Sequence, residues 1–135
     1  MNKLIGKIVL IESSQHMSMV DIDVEGDVFS SIVLETPISA AYLKQGGPVA
    51  LLFKETEVSI GKNLSGLISL RNRFKGKIKL IEESELLSKI ILEYKSQEII
   101  SIISTRSTQR LGLIIGDEIE WLVKTNEVSL CSHSS

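Results

Sequence analysis

Three short stretches of this 135-residue sequence carry side chains suited to holding a small anion. They are Ser69-Leu70-Arg71-Asn72, Ser104-Thr105-Arg106-Ser107 and Lys124-Thr125-Asn126-Glu127. Ser104 and Ser107 lie at the start of an expected short helix. Hydroxyls there cap backbone N–H groups, and the same N–H groups can instead face an anion. Lys124 stands near an expected strand end and supplies one positive charge. Arg71 supplies a second, with a forked donor array suited to oxyanions. Brought together, these groups offer two cations and several neutral donors, which balance a tetrahedral dianion. Taken singly, the serines are ordinary helix caps, and Lys124 and Arg71 are ordinary surface charges.

Other chemistry finds little support, and neither a catalytic residue nor a metal site is expected. Asp21, Asp23 and Glu25 alternate with Val20, Ile22 and Val24, which places the carboxylates on a solvated strand face rather than around a cation. Cys131 and His133 could pair on zinc, but they sit in a tail ending His133-Ser134-Ser135. Gly61-Lys62-Asn63 lacks the upstream glycine and the hydroxyl residue of a phosphate-binding loop. His16 falls in an expected hairpin turn, and no nucleophile–base–orienter set is recognisable.

The net charge of −2 comes without a basic stripe, and Trp121, Tyr42, Tyr94, Phe29, Phe53 and Phe74 are the whole aromatic complement. Single-stranded nucleic-acid binders stack bases on aromatics in basic grooves, so a nucleic acid is not an expected partner. The single cysteine fits a reducing compartment. The N-terminus lacks the apolar core of a signal peptide, and no uncharged apolar run approaches a membrane span. The expectation is a soluble cytoplasmic protein without membrane contact.

The elements that must position these residues follow from an internal repeat. A shift of 70 positions aligns residues 2–60 with 72–130 without a gap, giving 18 identities in 59 positions. Gly6-Lys7-Ile8 recurs as Gly76-Lys77-Ile78, and Lys54, Glu57, Val58 and Ser59 recur as Lys124, Glu127, Val128 and Ser129. Within each copy the dominant period is two, as in half-buried strands. Strands are predicted near 4–12, 20–25, 28–34, 48–53 and 56–61, with counterparts 70 positions later. One short helical turn fits each copy, near 38–44 and 107–112, before Gly46 and Gly116. Five short strands and one helical turn predict an all-β chain of two tandem OB-fold-like five-stranded β-barrels. Residues 60–66 read as the linker, dividing the chain into 1–63 and 64–135. Units this small are marginal alone, so packing between them and oligomerisation are expected. An open Ile99-Ile100-Ser101-Ile102-Ile103 strand would otherwise invite aggregation.

The sequence resembles the Mop, or TOBE, domain family of molybdate-binding proteins. Ser69-Leu70-Arg71-Asn72-Arg73-Phe74-Lys75-Gly76-Lys77-Ile78 is similar to the family's Ser-Ala-Arg-Asn-x-hydrophobic-x-Gly-x-Ile/Val opening. Leu111-Gly112-Leu113 with Gly116, and then Val123-Lys124-Thr125-Asn126-Glu127-Val128, follow its later pattern. The resemblance implies barrels that oligomerise, with molybdate or tungstate held between subunits. It implies Ser69 and Arg71 on one side of a site, and Ser104, Ser107 and Lys124 on the other. Leu70 and Asn72 would contribute mainly backbone amides. In the first copy Lys54 matches Lys124 and is a secondary candidate, but Leu34 and Pro37 replace Ser104 and Ser107. The chain as given also begins where the Ser-x-Arg opening would stand, so the first copy reads as a degenerate site and the second as the main binder.

The implied function is oxyanion storage or homeostasis without catalysis and without an enzyme cofactor. The alternative is a molybdate-sensing module acting through a regulator or transporter partner. A homo-oligomer, trimer or dimer, is expected. A donor-only site accepts a full dianion, whereas phosphate near neutral pH carries a proton that needs an acceptor. Nothing in the sequence separates molybdate from tungstate.

Overall fold

The computed structural model describes residues 1–133, so Ser134 and Ser135 lie outside the described residues, and Cys131, expected in a tail, pairs as a strand residue with Ala50. The strands are β1 (Asn2–Ser14), β2 (Met17–Val24), β3 (Asp27–Val33), β4 (Pro48–Phe53), β5 (Ser59–Gly61), β6 (Asn72–Glu83), β7 (Leu87–Tyr94), β8 (Gln97–Ser104), β9 (Glu118–Val123) and β10 (Ser129–Ser132). One helix, α1 (Thr105–Leu111), and two 3-10 turns, Glu55–Glu57 and Thr125–Glu127, complete the elements of the described residues. The chain is thus all-β with two five-stranded, curled sheets, in the orders β10-β4-β1-β2-β3 and β5-β9-β6-β7-β8. The sequence periodicity placed most of these strands; the 3-10 turns occupy part of the stretch expected as a fifth strand.

The two compact units do not follow the linear division at 63/64. The first comprises Met1–Phe53 with Lys124–Ser135, and the second comprises Lys54–Val123. The short fifth strand that follows β4 therefore pairs with β9, and the one that follows β9 pairs with β4. Each sheet is completed by the other repeat's last strand.

Inside each unit the same devices recur. In the first, β1 buries Asn2, Leu4 and Ile8 on its inner side while Lys3, Ile5 and Lys7 point outward. Gly6 sits where a Cβ would lie 2.6 Å from the Asp23 carbonyl oxygen, so only glycine lets β1 coil against β2 there. Register then slips by one residue between Ile8 and Leu10, a bulge that increases the local twist. The same slip falls between Ile78 and Leu80 in the second unit. At Glu25-Gly26 both turn residues have positive φ, which matches the twist of the β2–β3 hairpin. The curl brings sheet edges together: Ser31 Oγ of β3 donates to the Val128 carbonyl at 2.6 Å, and Ser101 Oγ of β8 donates to the Val58 carbonyl at 2.6 Å.

The cores differ in kind. Leu4, Val24 and Leu51 of the first unit are replaced, 70 positions on, by Phe74, Tyr94 and Trp121. These three rings pack with centroids 5.1–6.1 Å apart, in tilted and edge-on contacts.

The helical turn expected at 38–44 is not a helix. Residues 34–47 form successive turns, with one i→i+4 bond, Ala40 N to Thr36 O at 2.9 Å. Ser39 Oγ accepts from Thr36 N and donates back to Thr36 O, and such local bonds compete with helix. Tyr42 Oη donates to Glu35 Oε1 at 2.6 Å, which draws the loop onto itself. Burial, followed by this hydrogen bond, pushes the Tyr42 phenol well above its ordinary pKa.

Candidate functional site

All seven primary candidates lie in or next to the second unit. Its β6 begins at Asn72, which is buried and pairs in register with Val123, the last residue of β9. Arg71 precedes that pair and Lys124 follows it, so both cations emerge where these two strands end. Ser69 and Arg71 are exposed and Leu70 is half-buried, in a stretch outside any helix or strand.

The chain reaches this stretch from β5 along a pinned path. Lys62 Nζ donates to the Gly112 carbonyl and to Asp117 Oδ2, each at 3.1 Å. The Asp117 carboxyl also accepts from Ile114 N at 3.0 Å, and these contacts hold its pKa below the ordinary value, the backbone bond first. Arg73 is committed elsewhere, with Nε and Nη2 on Glu120 at 2.5 and 3.1 Å and Nη1 on the Gly66 carbonyl at 3.4 Å.

Ser104 ends β8 and caps α1. Its Oγ accepts from Ser107 N at 3.1 Å and donates to Ser107 Oγ at 2.9 Å, so the structure brings these two hydroxyls directly together. The helix stops at Gly112, whose φ of 60° places it in the left-handed region that closes helix ends. Ser104 pairs with Leu87, beside the β6–β7 hairpin, whereas Asn72 opens the 12-residue β6 at its other end. Ser69–Asn72 and Ser104/Ser107 are therefore set at opposite ends of the β6–β7 ribbon.

The strand exchange changes the company of the two lysines. Lys54 belongs to the second unit, with Ser104 and Ser107, and Lys124 belongs to the first. Each is exposed and opens a 3-10 turn, closed by a 3.0 Å bond from Glu57 N or Glu127 N. The turn after Lys54 leads to Val58, whose carbonyl is bound by Ser101 of β8, three residues before Ser104. In the first unit, Leu34 and Pro37 stand exposed at the positions of Ser104 and Ser107.

Sequence reasoning passed over Thr105. It is buried, its Oγ1 lies 2.9 Å from Ser88 Oγ, and it donates to the Ser84 carbonyl at 2.8 Å. Its backbone N–H binds the Leu86 carbonyl at 2.9 Å. The recurrence of Ser14 and Ser18 as Ser84 and Ser88 was the available signal.

A cleft of about 480 Å³ elsewhere on the second unit contains none of the candidate residues. Its three lysines and three glutamates balance, with Lys75 opposite Glu120, Lys77 between Glu93 and Glu118, and Lys95 completing the set, which makes it a solvated face. Among the described residues, no group of three or more His, Cys, Asp or Glu could hold a metal ion, and no helix is long and apolar enough to cross a membrane.

A family model described as the TOBE domain matches residues 68–130. No curated protein sequence matches the chain. A solved structure of the cytoplasmic molybdate-binding protein ModG, with molybdate bound, is similar over 98% of this chain and 96% of its own, with a TM-score of 0.91 and 26% identity. A molybdate binding protein from Sporomusa ovata is 34% identical over 44% of this chain and 88% of its own, at a TM-score of 0.43. MopII from Clostridium pasteurianum is 35% identical over 44% of this chain and 90% of its own, at a TM-score of 0.42.

Proposed function

The chain belongs to the TOBE-domain family, in a tandem two-unit architecture, and on that premise we propose that it binds molybdate in the cytoplasm and catalyses no reaction. The observation that carries this reading is the end-to-end similarity to ModG, a protein described as cytoplasmic and molybdate-binding.

The site proposed has two halves. Ser104 and Ser107 supply paired hydroxyls on one, and Lys54, in the same compact unit, supplies its charge. Ser69 and Arg71, with the backbone amides of Leu70 and Asn72, form the other, and Lys124 directly follows Val123, the strand partner of Asn72. Because the halves lie at opposite ends of one ribbon, they meet when a second copy presents its complementary end. A homo-oligomer, trimer or dimer, follows. The first repeat, with Leu34 and Pro37 at the hydroxyl positions, is scaffold.

Arginine, lysine, hydroxyl and amide donors favour a fully ionised tetrahedral oxyanion, and molybdate and tungstate satisfy them alike. Storage is the role proposed, and a pull-down with and without molybdate separates it from sensing through a partner. The direct test is isothermal titration with molybdate, tungstate, sulfate and phosphate. Heat from the first two alone, lost in Arg71→Ala, is the expected result. Absence of both heat and thermal stabilisation by molybdate would sink the reading.

A further inference from the structure

We propose that Thr105 is the positioning residue for the Ser104–Ser107 hydroxyl pair, holding it at the working geometry from beneath. This rests on the molybdate reading and assigns a role to a side chain that need not touch the ligand. Thr105 lies between the two serines in sequence but points the other way, into the protein. Three bonds tie it to the β6–β7 hairpin: Oγ1 with Ser88 Oγ at 2.9 Å, Oγ1 to the Ser84 carbonyl at 2.8 Å, and its N–H to the Leu86 carbonyl at 2.9 Å. Ser88 is itself buried, so neither hydroxyl has ready access to water as a substitute.

The first unit shows what happens without the threonine. Glu35 stands at the position of Thr105, and Ser18, at that of Ser88, donates instead to the Glu35 carbonyl at 2.6 Å. The Glu35 side chain turns to Tyr42, and no helix follows. One hydroxyl thus accompanies the difference between a loop and a capped helix that displays two serines.

The test is molybdate titration of the full chain as wild type, Thr105→Val, Thr105→Ser, Ser88→Ala and Ser104→Ala. It is run at a temperature where circular dichroism reports each variant as folded. Thr105→Val is nearly isosteric and should weaken binding about tenfold, Ser88→Ala should weaken it less, and Thr105→Ser should restore it. Wild-type affinity in Thr105→Val, with binding lost in Ser104→Ala, would overturn the proposal and leave the molybdate reading standing. Equal losses in Thr105→Ser and Thr105→Val would also overturn it, since the hydroxyl is retained in the first. Should Thr105→Val fail to fold, wild-type affinity in folded Ser88→Ala decides against it. A wild-type chain that binds no molybdate removes both readings.

Discussion

The two units share a strand order, a bulge, a strand glycine and a buried serine that joins sheet edges, yet only the second carries a capped helix and paired hydroxyls. Shared features belong to the architecture: Gly6 and Gly76, Ser31 and Ser101, and the register slips at Val9 and Lys79 all serve sheet curvature. Features present once distinguish the units. The aromatic cluster and the Arg73–Glu120 and Lys62–Asp117 ion pairs all fall in the second unit. The unit proposed to bind is thus also the one whose core rings cluster, whereas Phe29 and Phe53 of the first unit stand where the second has Ile99 and Val123.

The largest effect expected tests the exchange itself. Ending the chain after Val123 removes β10 and the Val128 carbonyl from the first unit and takes nothing from the second. Hydrogen exchange should then show protection lost across β1–β4 and retained across β6–β9. Loss in the second half instead would contradict the pairing of β10 with β4.

Next come the cores. Trp121→Ala should cost about 3–5 kcal/mol and Leu51→Ala, at the equivalent position, about 2–5 kcal/mol by urea denaturation. A smaller loss for Trp121→Ala than for Leu51→Ala would show that the aromatic cluster is not the stronger of the two cores.

At the site, Lys54→Ala and Lys124→Ala distinguish membership in a compact unit from membership in a repeat. Lys54→Ala should weaken molybdate binding about tenfold or more, as loss of a charged hydrogen-bond partner does. A loss confined to Lys124→Ala would return the charge to the serines' own repeat.

The smallest effect concerns acid. Arg73 holds Glu120 below its ordinary pKa through their hydrogen bonds, and Asp117 is likewise lowered. Both carboxylates are ionised at neutral pH, and their contribution is lost only as acid protonates them below the usual carboxylate range. Glu120→Gln should therefore flatten the acid limb of the stability curve by slightly lowering stability at pH 7 while leaving the acid end nearly unchanged. An unaltered acid limb would show that this half-buried pair contributes nothing measurable.

Much of this was legible in the residues. The period-two run Val20–Val24 and the apolar run Ile99–Ile103 declared strands, and the hydroxyls at Ser104 and Ser107 declared the start of α1. The exchange was not legible, for a physical reason. Lys54, Glu57, Val58 and Ser59 are matched residue for residue by Lys124, Glu127, Val128 and Ser129, and the receiving serines, Ser101 and Ser31, are also the same. Two interchangeable strands facing two equivalent edges leave no local signal of which goes where. The turn expected at 38–44, placed by its position before Gly46, misled for a different reason: the local bonds between Ser39 and Thr36 and the contact of Glu35 with Tyr42 hold that stretch as a loop.

The crossed last strands also impose an order on synthesis. Everything the second unit needs, Lys54–Val123, has been made before β10 is added, and its edge-joining pair, Ser101 and Val58, is 43 positions apart. The first unit is begun earliest, but its corresponding pair, Ser31 and Val128, is 97 positions apart. Closing so distant a contact is slow, and until it closes β4 keeps an unpaired edge. On a ribosome, the first half of this protein is the last to be finished.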